Sequence, residues 1–194
     1  MIGESTISEW IEALDSLDFE VRLEAKSHLL SLGKVGIEPL IAAAKTANGR
    51  QCWEAASVLA QIDDPRVRQL MGELLKSSNL ILTQIAAQVL GRYGEQSVAC
   101  LVRALPVSRE LTQIEILCAL EAIGSRSAVV PLLEFLRTAQ SAMLRYTAIQ
   151  ALGKLGDPQA MELIQSFQND EDSHVRKRVR AALQALEIAS HMQL

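Results

Sequence analysis

The sequence predicts an all-α fold built from six two-helix repeats of about 31 residues. Apolar residues recur along nearly the whole chain at steps of 30, 31, 30, 32 and 31, at Leu32, Ile62, Tyr93, Ile123, Leu155 and Leu186. A leucine stands three positions before each of them. Such a period is typical of stacked repeats, in which each repeat buries its apolar face against its neighbours.

The composition suits closely packed helices. The chain is 49% hydrophobic but only 4% aromatic, and Leu, Ile, Val and Ala supply most of the apolar surface. Ten glycines and five prolines among 194 residues are too few for a turn-rich β-sandwich or a disordered tail. Composition and period therefore favour a continuous helical core.

The first recurring element is an amphipathic helix. Val21, Ala25, Leu29 and Leu32 stand at offsets 0, 4, 8 and 11, which is one stripe of a 3.6-residue helix. Five good N-cap residues and one arginine precede the six stripes, at Asp18, Asn48, Asn79, Arg109, Ser141 and Asp172. Glycine, which favours a left-handed C-cap, follows four stripes, as Gly33, Gly94, Gly124 and Gly156.

A second helix follows each of the first five stripes. The spacing Ile37-x-x-Leu40-Ile41 recurs from Val67, Val98 and Val129, and prolines fall in the first turn, where they are tolerated. The matching helix of the first repeat lies upstream, from Ser5 to Leu14. We therefore predict one domain over residues 1–194, with a short tail at 188–194. Its repeats are predicted at about 5–33, 34–62, 63–94, 95–124, 125–156 and 157–187.

The segment Asp18-x-x-Val21-Arg22-x-x-Ala25-x-x-x-Leu29-x-x-Leu32-Gly33 resembles the HEAT repeat. More narrowly, it is similar to the short HEAT-like type of phycobilisome lyases and many bacterial scaffold proteins. The resemblance implies a right-handed α-α superhelix with the Val-Arg helices on its concave side. HEAT-like hydroxylases hold iron with His-Glu pairs, but here the residues after the histidines are Leu29, Val175 and Met192.

Charge and motifs narrow the class of function. A balance of 23 acidic and 19 basic residues makes a nucleic-acid partner unexpected. Three cysteines without a CxxC pair favour a reduced, cytoplasmic chain, and no apolar run is long enough to span a membrane. The chain lacks HExxH, a Gly-rich phosphate loop and GxSxG, so we predict no catalytic residue, metal or cofactor.

A partner-binding groove is predicted on the helix face opposite the core stripe, at offsets +2, +3, +6 and +10 from the stripe start. A solvated face should be polar, yet apolar side chains stand in its middle. The predicted groove residues are Trp53, Glu54, Gln84, Ile85, Gln88, Ile114, Glu115, Cys118, Tyr146 and Gln150. The alternative is that curvature buries them between neighbouring helices, whereas Val21, Leu29, Leu90 and Leu152 should be buried in either case.

A secondary basic patch is predicted near the C-terminus, at Arg176, Lys177, Arg178 and Arg180. It has two interpretations. The patch binds an anionic partner, or a terminal repeat keeps a charged outer face for solubility.

The sequence favours a non-catalytic scaffold that binds a protein or peptide in its concave groove. A first alternative, implied by the resemblance, is a subunit of a phycobilin lyase or a bilin chaperone, with Trp53, Cys118 and Tyr146 near the chromophore. A second is nucleic-acid binding through the basic C-terminal repeat. Fold alone does not choose among them.

Overall fold

The computed structural model describes residues 4–46 and 49–191, with side chains over 6–45 and 49–189. Within these ranges the chain is helical and contains no strand, which confirms the predicted all-α fold. The α-helices are α1 (Glu4–Ala13), α2 (Phe19–Ser31), α3 (Ile37–Thr46), α4 (Arg50–Leu59), α5 (Pro65–Leu74), α6 (Leu80–Arg92), α7 (Glu95–Ala104), α8 (Glu110–Ile123), α9 (Val129–Thr138), α10 (Ala142–Leu155), α11 (Met161–Ser166) and α12 (Ser173–His191). Short 3₁₀ turns occupy Gly33–Gly36, Leu105–Val107, Arg126–Ala128 and Pro158–Ala160.

Side-chain caps begin four of the helices that carry the core stripe. The Asp18 carboxylate accepts a hydrogen bond from the Glu20 N–H, and the Ser141 hydroxyl accepts one from the Leu144 N–H. The carboxylate of Asp172 and the side-chain oxygen of Asn79 likewise accept from backbone N–H groups of α12 and α6. Arg109 makes no side-chain cap bond, and Asn48 lies outside the described residues.

Left-handed glycines end two of the longest helices, as predicted. Gly124 has φ 70° and ψ 20°, and Gly156 has φ 68° and ψ 21°. Each N–H returns to a carbonyl of the last helical turn, from Leu120 and Leu152 respectively. A side chain would be strained at this φ, so glycine places the next turn where the following helix can fold back.

The chain forms two compact units, Met1–Val89 and Leu90–Leu194. In the first unit α1 packs on α2, α3 packs on α4, and α2 also contacts α4. In the second, α8, α10 and α12 pack side by side, while α9 and α11 pack on α10 and α12. Within the second unit, therefore, the stripe-bearing helices form one layer.

The buried core follows the predicted stripe. The fourth residue after each stripe start is buried in all six repeats, and Leu29, Leu90 and Leu152 are fully buried as predicted. The prediction for Val21 is wrong, because this side chain is 39% exposed. Its counterparts Leu82, Leu144 and Val175 are buried, whereas no described residue covers Val21 to the same extent.

Arginines one residue after the stripe start clamp the preceding loop. Arg22 donates to the carbonyls of Ser16 and Leu17, six and five residues earlier. Arg145 donates in the same way to Gln140, and Arg176 to Asp170 and Glu171. This arginine therefore satisfies carbonyls that the turn between helices leaves without partners.

The C-terminal tail predicted at 188–194 is helical as far as His191, because α12 runs over Ser173–His191. No glycine follows Leu186, whereas Gly124 and Gly156 follow the equivalent positions. Without a residue suited to the left-handed cap, the helix continues.

Candidate functional site

The predicted groove residues fall into three exposure groups. Trp53 is 37% exposed, and Gln84, Gln88 and Cys118 are also exposed. Half-buried side chains form the second group: Ile85, Ile114, Glu115, Tyr146 and Gln150. Glu54 alone is buried. Most of these positions are thus open to solvent in part, and whether a partner binds them remains a prediction.

Glu54 is buried instead of exposed in the groove, so the prediction for this residue is wrong. Its carboxylate is 2% exposed, lies 3.3 Å from Arg22 Nε and pairs with the Lys26 ammonium. Both cations belong to α2, the stripe helix of the preceding repeat. An isolated buried carboxylate would be costly, so two cations fold over it and make Glu54 a link between repeats.

Trp53 presents an aromatic face in the first unit. The Lys26 Nζ lies 5.6 Å from the indole centroid, and the Arg22 guanidinium lies 5.6 Å from the Phe19 ring. Phe19 and Leu23 are exposed one helical turn apart on α2. The α2–α4 face therefore offers apolar rings between cations.

The predicted groove residues on α8 are Ile114, Glu115 and Cys118, and they differ in exposure. Ile114 and Glu115 are half-buried, and burial together with nearby Glu121 and Glu115 raises the pKa of the Cys118 thiol. A thiol with a raised pKa is a poor nucleophile at neutral pH. Cys118 is therefore better suited to contact than to covalent chemistry.

The clearest concavity among the predicted positions lies between α10 and α12, and we call it the α10–α12 cleft. It consists of two adjoining hollows of about 240 and 290 Å³ that share Arg178 and Ala181. The first is completed by Tyr146, His174 and Lys177. Gln150, Gly153, Lys154, Gly156, Ala182, Ala185 and Ala189 complete the second.

Tyr146 and Arg178 are held together inside the cleft. The Arg178 guanidinium carbon lies 4.4 Å from the Tyr146 ring centroid, and Arg178 Nη2 donates a hydrogen bond to the phenolic oxygen. The Arg178 Nε is buried and has no hydrogen-bond partner among the described residues. The guanidinium is thus fixed in orientation but retains an unsatisfied donor.

Small residues form the floor of the cleft. A Cβ added at Gly153 would lie 2.8 Å from the Cβ of Ala182, closer than real contacts allow. The missing side chain lets α10 and α12 approach, while Ala181 and Ala185 leave a trough above that contact. Polar side chains stand along its edges: Gln150 and Lys154 on α10 and Lys177 on α12.

The predicted groove and the predicted basic patch meet in this cleft, because Lys177 and Arg178 of the patch also stand at groove offsets +2 and +3. Lys177 and Arg178 line the same cleft as Tyr146, whereas Arg176 clamps a loop and Arg180 lines neither hollow. Sequence reasoning missed His174 as a lining residue and Glu121 as a positioning residue. Glu121 accepts from Gln150 at 2.8 Å and pairs with Lys154. No sequence motif marks either residue.

Within the described segments, no helix is long and apolar enough to cross a bilayer. The same segments contain no group of three or more His, Cys, Asp or Glu side chains placed to hold a metal ion.

Comparison with known proteins gives the resemblance an independent basis. Residues 129–189 match the family model for HEAT repeats. The uncharacterized phycocyanin operon protein Z of Pseudanabaena tenuis is 28% identical over 147 residues, which are 70% of this chain and 72% of that protein. Deoxyhypusine hydroxylase of Gallus gallus is 30% identical over 95 residues, but these cover only 32% of that enzyme and 48% of this chain.

Two solved structures share the fold. A designed armadillo repeat protein in complex with the peptide (KR)4 superposes with a TM-score of 0.57 at 17% identity, over 93% of this chain and 99% of that one. The complex of CpcE and CpcF of phycocyanin lyase from Nostoc contains a chain that superposes with a TM-score of 0.50 at 20% identity, over 93% and 77%. Together with the repeat match, these findings confirm the resemblance: the chain is similar to HEAT-repeat proteins of the phycobilisome-lyase type.

Proposed function

We propose that this chain is a non-catalytic scaffold that binds a protein or peptide partner. The partner binds the exposed side of the helices that carry the core stripe, which we call the stripe-helix face. The observation that carries the proposal is the α10–α12 cleft, because its lining includes predicted groove positions on both helices. Tyr146 supplies a rigid aromatic wall, and Ala181 and Ala185 leave room beside it. Aromatic and arginine side chains in a partly desolvated pocket are the usual anchors of protein interfaces.

The size of the hollows favours side chains as occupants. Each hollow, at about 240 or 290 Å³, has room for one large side chain. A peptide lying along the trough would place one side chain in each hollow. Trp53 on the α2–α4 face is a second anchor of the same kind.

A photo-crosslinking amino acid at position 146 or 53 tests the proposal in cells that carry the natural gene. We expect position 146 to yield a covalent adduct with an identified protein, and position 53 tests the α2–α4 face separately. Val130 is the matched control, since it is an exposed apolar residue of α9, outside the stripe helices. Tyr146→Ala and Trp53→Ala should weaken capture of that protein about ten-fold or more, the loss expected for an aromatic anchor.

Thermal unfolding of both alanine variants, followed by circular dichroism, shows whether they remain folded. An adduct formed equally well at position 130, or capture unaffected by both alanine variants, would remove the stripe-helix face from consideration.

A second candidate is a role beside a bilin-transferring complex, as a phycobilin lyase subunit or bilin chaperone. The similarity to phycocyanin operon protein Z favours it, as does the fold shared with the CpcE–CpcF complex. Tyr146 and Cys118 would then lie near the chromophore.

Titration of the pure protein with phycocyanobilin separates the candidates. We expect no shift of the bilin absorbance band, because hollows of this size suit side chains better than a whole tetrapyrrole. A stoichiometric complex with a red-shifted band, lost in Tyr146→Ala, would replace the scaffold proposal with the chromophore-handling one.

A further inference from the structure

The charges around the α10–α12 cleft are unbalanced. Lys177 and Arg178 form no ion pair among the described residues, although acidic side chains lie near both ends of the cleft. Those acids are engaged elsewhere. Asp170 pairs with Arg145, while Asp172 caps α12 and lies 3.6 Å from His174. The cleft therefore carries an uncompensated positive charge.

Arg178 is the positively charged group best placed to bind an anion in the cleft. Contact with the Tyr146 ring and a hydrogen bond to its hydroxyl orient the guanidinium, and its buried Nε–H lacks an acceptor. A carboxylate oxygen is the strongest acceptor that a protein partner can offer to a guanidinium. Because the guanidinium is already held in place, little side-chain entropy remains to be lost on binding.

The exposed ammonium of Lys177, beside Arg178, strengthens the preference for a carboxylate. Lys177 is exposed at the mouth of the smaller hollow, and Lys154 stands at the edge of the larger one, already paired with Glu121. A partner with negative charge would be steered towards Lys177 and Arg178 and would meet a neutral floor of Ala181 and Ala185. An extended acidic segment fits both the charge and the trough.

We propose, on the basis of the function proposed above, that the α10–α12 cleft recognises an acidic linear segment of its protein partner. A glutamate or aspartate carboxylate accepts a hydrogen bond from the guanidinium of Arg178 and lies close to the Lys177 ammonium. The backbone and the next side chain of the segment lie along Ala181 and Ala185. Tyr146 positions Arg178 and supplies the apolar wall.

Fluorescence anisotropy tests this with a short fluorescein-labelled peptide of alternating glutamate and alanine, and with its glutamine counterpart. We expect the glutamate peptide to bind at low salt and the glutamine peptide to bind at least about ten-fold more weakly. Arg178→Gln should reduce glutamate-peptide affinity about ten-fold, and Lys177→Gln should do so less. Arg180→Gln makes the same charge change on the same helix outside the cleft, and should leave affinity nearly unchanged.

Three results would overturn the inference: equal binding of the two peptides, no binding of the glutamate peptide, or equal losses in Arg178→Gln and Arg180→Gln. A single-stranded DNA oligonucleotide is measured beside the peptides. If it binds more tightly than the glutamate peptide and loses affinity equally in both arginine variants, the basic helix is a general polyanion surface instead. Crosslinking of a partner at position 146 would leave the proposed function standing in each of these cases, and would show that only the acidic preference had failed.

Discussion

Leu120→Ala is expected to lower the free energy of unfolding by about 2–5 kcal/mol, the range for removing a large apolar side chain from a packed core. Leu120 is 0% exposed on α8, which packs against α7 and α10. The substitution leaves a cavity that fixed helices on two sides cannot close. Urea-induced unfolding followed by far-ultraviolet circular dichroism measures the loss.

Leu111→Ala is the matched control, because Leu111 lies on the same helix and is 58% exposed. The same chemical change there should alter stability by no more than about 0.5 kcal/mol. Equal unfolding midpoints for the Leu120 variant and the unmodified protein would show that the buried leucine column does not hold this unit together.

Arg145→Ala should have the second largest effect, a loss of about 3 kcal/mol, at the lower end for a buried ion pair that loses one partner. Arg145 Nε lies 2.7 Å from Asp170 Oδ2, and Nη2 lies 3.0 Å from Oδ1. Both side chains are largely buried, so the substitution leaves a carboxylate without its cation. Arg145→Lys keeps the positive charge but not the planar guanidinium that makes both hydrogen bonds. Its loss of stability should lie between zero and that of Arg145→Ala.

The pH dependence of unfolding distinguishes this pair from a merely packed arginine. Burial opposes ionisation of Asp170, but hydrogen bonds from Arg145 and from the Asp172 N–H outweigh it, so the pKa of Asp170 is lowered from its ordinary 3.8. Because the folded-state pKa is the lower one, the contribution is complete above pH 3.8 and is lost as the pH falls through the folded value. Arg145→Ala should reduce this fall in the free energy of unfolding at low pH. An unchanged pH dependence would contradict the claim that the Arg145–Asp170 ion pair causes it.

The repeat pattern predicted the fold because one physical requirement recurs in each repeat. A residue such as Leu90 or Leu152 must be apolar wherever two stripe helices meet, so spacing alone reveals it. Caps such as Asp18 and Ser141 are equally local, since each binds an N–H two or three residues away. Val21 departs from the pattern because its burial depends on contacts outside its own repeat, which spacing along the sequence does not show.

The site was less predictable because its geometry depends on contacts between repeats. A helical wheel places Trp53 and Glu54 only about 100° apart, and does not show that Arg22 and Lys26 cover the second. Similarly, Arg178 looks like one member of a basic run until the Tyr146 ring is found against it. Gly153 carries no signal at all in the sequence, yet its missing side chain admits Ala182.

The cross-repeat ion pairs have a consequence for how such a chain could be rearranged. Arg22 of the first repeat meets Glu54 of the second, and Arg145 of the fifth meets Asp170 of the sixth. The second, third and fourth repeats carry Cys52, Thr83 and Gln113 at the arginine position. Exchanging an end repeat with a middle one would leave a buried carboxylate without its cation. The repeats are therefore not interchangeable, because each end pair requires the neighbour that supplies its opposite charge.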